Sequence, residues 1–209
     1  MNVKICGITS LEDAQAAREL GAWAIGMVFQ PESPRVCAVA EAERIGAALH
    51  RRVELAGVFV NASLEEITDL CDRAQLTLVQ LHGDEGPAFA GEVARRTGAR
   101  TIKAESVRGP ATLQDIARFH TDFHLLDGHA VGLRGGTGTT FDWSLLAARR
   151  SKVPLIVSGG LRPENVADAI AQTHPFAVDV ASGVEESPGV KDHELMRAFI
   201  DAAAATVTA

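Results

Sequence analysis

Eight short runs of β-branched and aliphatic residues recur along the chain: "VKIC", "WAIGMVF", "LAGVFV", "LTLVQLH", "RTIKA", "FHLLD", "PLIVSG" and "FAVDVASG". Between most of them lie segments with apolar residues at helical spacing, among them "LEDAQAARELG", "LEEITDLCDRA", "WSLLAARR", "PENVADAIAQ" and "DHELMRAFIDAAAA". Successive strands start roughly 20 to 30 residues apart, the length of a strand, a crossover helix and two short connections. Right-handed crossovers around a parallel sheet either stop as an open layer or close on themselves. Eight regular units point to closure. The expected fold is therefore α/β, a single-domain (β/α)8 TIM barrel over residues 1–209, with an open doubly wound sheet as the alternative. The Ala/Thr tail after Ala202 is expected to fray.

Composition narrows the function. With 46% hydrophobic and 22% charged residues and a mean hydropathy of +0.07, the chain can build a sizeable core and is not disordered. It has no apolar run long enough for a bilayer, and "VKIC" follows Met1 with no leader-like segment before it, so cytoplasmic residence is expected. Cys6, Cys37 and Cys71 are odd in number and lack CxxC spacing, which argues for reduced thiols and against both disulfides and structural zinc. A formal charge of −7 disfavours nucleic acid. An anionic small molecule must then be met by a local site.

Barrel active sites form at the C-terminal ends of strands. Cys6, His82 and Asp127 fall at such ends. If Val3 and Ile5 face the helices, Lys4 and Cys6 point into the barrel, and Gln80, His82, Leu125 and Asp127 follow the same alternation. Only four lysines occur, and two of them, Lys4 and Lys103, sit in apolar runs. A buried ammonium needs a partner. Asp179, in the middle of the eighth run, is the expected partner of Lys4, with Lys103 in the same polar layer.

Two Gly-containing loops suggest an anion site. "IVSGGLRPEN" places Gly159 and Gly160 between a strand and a helix expected to carry Pro163 in its first turn. "ASGVEESPG" offers Ser182 and Gly183 after the last strand, and these two loops form the usual phosphate site of barrel enzymes. Singly, Asp127 could cap a helix, Cys6 could be a small core residue, and His82 a hydrogen-bonded core histidine. Together with the anion loops they point to acid/base chemistry on a small phosphorylated substrate. No His/Asp/Glu cluster has metal-ligand spacing.

The ordered set "KICGIT", "GMVFQPESPR", "GVFVN", "VQLHGDE", "IKA", "LLD", "GGTGTTFDW", "SGGLRPENV" and "DVASGVEESPGVKD" resembles the phosphoribosylanthranilate isomerase family of tryptophan biosynthesis over nearly the whole chain. The resemblance implies an Amadori rearrangement without metal or cofactor. It implies Cys6 as general base, Asp127 as general acid, Arg35 as the anthranilate-carboxylate residue, and Gly159, Gly160, Ser182 and Gly183 as the phosphate site. Gln80 and His82 are expected to bind substrate, and the enzyme to be a monomer or homodimer with no membrane or nucleic-acid partner. Thr139 stands where the family often has lysine, and Gln30 where an aromatic residue is common. Another phosphosugar aldose–ketose isomerase and a non-catalytic phosphate-binding barrel remain the alternatives. The former would use paired aspartates, which the cysteine in the first strand disfavours.

Overall fold

Side-chain alternation in each strand requires two apolar surfaces, and both are found. In the computed structural model, which describes residues 1–128 and 142–206, the eight parallel strands β1 (Asn2–Cys6), β2 (Ala24–Val28), β3 (Glu54–Phe59), β4 (Leu78–Leu81), β5 (Arg100–Val107), β6 (Phe123–Gly128), β7 (Leu155–Ser158) and β8 (Ala177–Val180) follow one another around a closed barrel. β8 pairs back onto β1, with Lys4 opposite Asp179, which excludes the open sheet. Small and branched residues such as Ala24, Ala56, Leu78, Ile102, Leu125 and Ile156 fill the interior. Ile5, Ile25, Val79, Val157 and Val178 lie in the larger outer core, beneath the helices. Burying one such aliphatic side chain is worth about 1.5 to 3 kcal/mol. At the N-terminal end, Trp23, Phe123 and Phe176 close the floor with ring centroids 5.0 to 5.5 Å apart. The polar mouth is at the opposite end.

The outer layer consists of α1 (Leu11–Glu19), α2 (Val39–Leu49), α3 (Leu64–Arg73), α4 (Pro87–Thr97), α5 (Pro110–Ile116), α6 (Val166–Thr173) and α7 (His193–Ala205). Local chemistry sets their ends. Ser63 and Glu66 form a reciprocal capping box on α3, Pro87 opens α4, and Gly98 ends it at φ +68°. Two expectations shift. "WSLLAARR" forms a 3-10 turn over Trp143–Ala148 in which only Leu146 is buried, so no apolar stripe holds a full α-helix there. Pro163 lies in the turn before α6, where Asn165 Oδ1 accepts from the Arg162 amide, and the helix starts only at Val166.

After β8 comes a 3-10 turn, Ser182–Val184, then an antiparallel pair, β9 (Glu185–Ser187) and β10 (Val190–Lys191), which leads into α7. Among the described residues no helix is long and apolar enough to cross a membrane.

The expectation for Lys103 needs correction. Its neighbours Ile102 and Ala104 face the barrel interior, so alternation turns Lys103 outward, beneath the helices. There its Nζ donates to the Gly83 carbonyl at 2.6 Å and to Glu85 Oε2 at 3.4 Å, and lies 5.3 Å from the Phe119 ring centroid.

Candidate active site

The interior turns polar one layer below the mouth. Lys4 Nζ donates to Asp179 Oδ1 at 2.6 Å, and Ser158 Oγ donates to Asp179 Oδ2 at 3.0 Å. Burial pulls the Lys4 ammonium down, but the Asp179 carboxylate and Cys6 outweigh it and hold Lys4 above its ordinary value. The pair lies in the layer beneath Cys6 and Asp127, and both of its members bear on those two groups.

Cys6, at the end of β1, is 8% exposed. Burial pushes its thiol up, Lys4 and Lys191 pull the other way, and Asp179 adds to the rise. Asp127 sits on β6 opposite Ser158 of β7, with 21% of its side chain open to the mouth. Burial raises its carboxyl to about 7, with the Asp179 charge adding, against Lys4 and a backbone hydrogen bond with Gly128. A substantial fraction is therefore protonated at neutral pH. Gly159, at φ +94°, is what allows this packing: a Cβ there would lie 2.1 Å from the Gly128 nitrogen and 2.6 Å from Asp127 Oδ1.

His82 approaches the same carboxyl, with Nε2 3.9 Å from Asp127 Oδ2. Burial is the leading cause that lowers its pKa to about 4, so the ring is neutral at pH 7. The Gln80 side-chain nitrogen lies 3.3 Å from His82 Nδ1. Gln80 Oε1 is buried without a hydrogen-bond partner among the described residues.

The loops after β7 and β8 touch. A Cβ on Gly183 would fall 2.0 Å from the Leu161 carbonyl oxygen, and Asn165 ties the Gly160 carbonyl and the Arg162 amide together. Gly159, Gly160, Ser182 and Gly183 thus border a common rim beside Asp127. Arg35 reaches the rim from the loop after β2, its Cδ against Gly7, and its guanidinium grips Glu185 through Nε and Nη2 at 2.7 to 3.0 Å. Gln30 is half-buried and donates to Glu32. Thr139 lies outside the described residues. No group of three His, Cys, Asp or Glu that could hold a metal occurs among the described residues.

The model of the N-(5'-phosphoribosyl)anthranilate (PRA) isomerase family matches residues 3–202. The chain belongs to this family. It is 46% identical over 198 residues to an N-(5'-phosphoribosyl)anthranilate isomerase of Geobacter sp. (strain M21), covering 95% of each chain. The corresponding protein of Pseudomonas fluorescens (strain Pf0-1) is 49% identical over 199 residues, with 95% of this chain and 96% of that one covered. Among solved structures, the phosphoribosyl anthranilate isomerase of Thermus thermophilus superposes with a TM-score of 0.89 at 41% identity, over 98% of this chain and 99% of that one. Another, a phosphoribosyl anthranilate isomerase in complex with reduced 1-(o-carboxyphenylamino)-1-deoxyribulose 5-phosphate, has a TM-score of 0.84 at 42% identity over the same shares. The chain is an isomerase acting on N-(5'-phosphoribosyl)anthranilate in tryptophan biosynthesis.

The isomerase site also contains residues that sequence reasoning passed over. Lys191 Nζ donates to the Cys6 carbonyl at 2.6 Å, the Ala181 carbonyl at 3.1 Å and Glu185 Oε1 at 2.8 Å. Glu85 accepts from the Asn61 amide at 2.7 Å and the Gly83 amide at 2.9 Å, and so pins the loop after His82. The scarcity of lysine was the available signal for Lys191. Nothing in "HGDE" distinguishes Glu85 from a solvated charge.

Proposed function

We propose that residues 1–209 form one catalytic domain in which Asp127 is the general acid and Cys6 the general base of the Amadori rearrangement. Asp127 gives its proton to the furanose ring oxygen, the ring C–O bond breaks, and an iminium forms at C1. Cys6, as thiolate, takes the C2 proton, and the C–H electron pair forms the enolamine double bond as the iminium is neutralised. Tautomerisation gives 1-(2-carboxyphenylamino)-1-deoxyribulose 5-phosphate. The observation that carries this reading is the placement of Asp127 at the end of β6, mostly buried at the mouth above the Asp179 carboxylate, which raises its carboxyl to about 7 and lets it hold a proton where one must be given up. Lys4 and Lys191 favour the Cys6 thiolate, and the iminium adds a further positive charge beside it.

In the same reading Arg35 holds the anthranilate carboxylate, the loop residues Gly159, Gly160, Ser182 and Gly183 hold the phosphate, and Gln80 and His82 orient the ribose. Support for a phosphorylated ligand comes from the related enzyme solved with a reduced phosphoribulose compound. The substrate is its own electron sink, so no cofactor is invoked. The reading assigns the enzyme to the cytoplasm, as a monomer or homodimer, with no nucleic-acid or membrane partner.

Loss of the substrate's anthranilate fluorescence follows turnover. Asp127→Asn and Cys6→Ser are expected to fold and to lose about 100- to 10,000-fold in kcat, the scale of positioned acid/base groups. Near wild-type turnover by either variant removes that residue from its role. Arg35→Ala is expected to raise KM about 10- to 100-fold with a smaller change in kcat, as lost binding shared by ground and transition states does.

A further inference from the structure

We propose that Glu185 and Lys191 set the aim and the charge of Arg35, so that the β9–β10 hairpin governs carboxylate recognition without touching substrate. This rests on the reading of Arg35 as the carboxylate-binding residue. Glu185 occupies one edge of the guanidinium: Nε lies 2.8 and 3.0 Å from its two oxygens, and Nη2 lies 2.7 Å from Oε2. None of these bonds uses Nη1. The edge formed by Nη1 and the second hydrogen of Nη2 is the one Glu185 leaves for an incoming carboxylate. A planar fork recognises a carboxylate in two parallel bonds only if its plane is fixed, and a side-on grip by Glu185 fixes it.

Charge is the second part. Arg35 and Glu185 alone are a neutral pair, and an approaching carboxylate meets the Glu185 anion as well as the cation. Lys191 Nζ lies 2.8 Å from Glu185 Oε1, with its side chain 0% and that of Glu185 4% exposed. Two cations against one anion leave the trio with a net positive charge of one. The Cys6 and Ala181 carbonyls hold the ammonium between the ends of β1 and β8, so it cannot swing out to water. Poor screening around these side chains lets that charge act at Arg35. Lys191 and Glu185 are thus positioning residues, not catalytic ones.

The test uses two stable ligands titrated by calorimetry: reduced 1-(o-carboxyphenylamino)-1-deoxyribulose 5-phosphate and the same compound without its carboxylate. Lys191→Met is expected to weaken the first about tenfold or more and the second clearly less, because both ligands share the phosphate and only the first carries the carboxylate that Arg35 faces, so the difference between the two losses reports the carboxylate alone. The double variant Glu185→Gln/Lys191→Met returns the site to a net charge of one and is expected to recover most of that loss. Equal weakening of both ligands by Lys191→Met, or a double variant as weak as the single one, overturns the proposal. If Lys191→Met does not fold, Lys191→Gln, which can still donate to the Cys6 carbonyl, gives the same comparison. Arg35→Ala separates the two levels. If it spares the carboxylate ligand, the reading of Arg35 fails; if it weakens that ligand while Lys191→Met does not, only the present inference fails.

Discussion

Lys4 in "VKIC" and Lys103 in "TIKA" look alike in sequence, and both are buried, with side chains 0% and 1% exposed. One stands inside the barrel and the other between barrel and helices. Lys4 meets Asp179 directly under Cys6 and Asp127, where its charge bears on both groups. Lys103 meets Glu85 and the Gly83 carbonyl, and so braces the loop that follows His82. The same residue type thus serves electrostatics on one face of the sheet and loop anchoring on the other. A shift of one position in strand alternation separates the two roles.

The largest expected effect breaks the inner half of this comparison. Among the described residues, Lys4→Met leaves Asp179 the Ser158 hydroxyl as its remaining side-chain partner, and unfolding by denaturant should show a loss of about 3 to 5 kcal/mol. Lys4→Met/Asp179→Leu, which removes both charges, should recover most of that stability without recovering kcat. Recovery of kcat as well would mean that the inner pair acts only as packing.

Lys103→Met tests the outer half and should cost less. Glu85 keeps its bonds from the Asn61 and Gly83 amides, so the carboxylate is not stranded, and a loss of about 1 to 3 kcal/mol is expected. Activity should fall by less than in Lys4→Met, and mainly through KM. A kcat loss equal to that of Lys4→Met would erase the distinction between the two faces.

The pH profile sharpens the inner side. The productive state, Asp127 protonated and Cys6 ionised, holds the same number of protons as the state with Asp127 ionised and Cys6 as thiol. The kcat/KM profile should therefore rise as pH passes about 7 and fall only where the raised thiol ionises, with both apparent values belonging to the pair. Residual activity of Asp127→Asn should lack the inflection near 7. Stability runs in the opposite direction. Because the folded carboxyl titrates above its unfolded value of about 3.9, its contribution is complete below that value and is lost as pH rises through about 7. Asp127→Asn should thus gain stability relative to the parent between pH 5 and pH 8, a difference that thermal melts at the two pH values would measure.

The smallest effect is expected from Ser158→Ala. It removes one hydroxyl bond from Asp179 while the 2.6 Å contact with Lys4 remains, for a loss of about 1 kcal/mol in denaturant melts.

The strand repeat and the alternation within each run determined the barrel, the inward direction of Cys6 and Asp127, and the pairing of Lys4 with Asp179. Both periodicities are properties of consecutive residues and survive without knowledge of neighbours. The same logic failed for "WSLLAARR", because helical spacing alone does not reveal how few of its residues find a core to cover. Motif order identified the family, yet it gave no role to Glu185, Lys191 or Glu85. Glu85 finds its partners within 24 positions, but for Glu185 and Lys191 the decisive partners lie far away in sequence: Arg35 is 150 positions from Glu185, and Cys6 is 185 from Lys191. Only closure of β8 onto β1 brings them together, and only burial turns an ordinary surface charge into one that must be paired. The sequence by itself determined the inward face of Lys4, Cys6 and Asp127, because alternation is local, but it misplaced Lys103, whose parity shows only once Ile102 and Ala104 are seen inside the barrel. Beyond the Lys4–Asp179 pair, the tertiary structure decided which charges meet, because the loops and the hairpin after β8 come together only in the closed barrel.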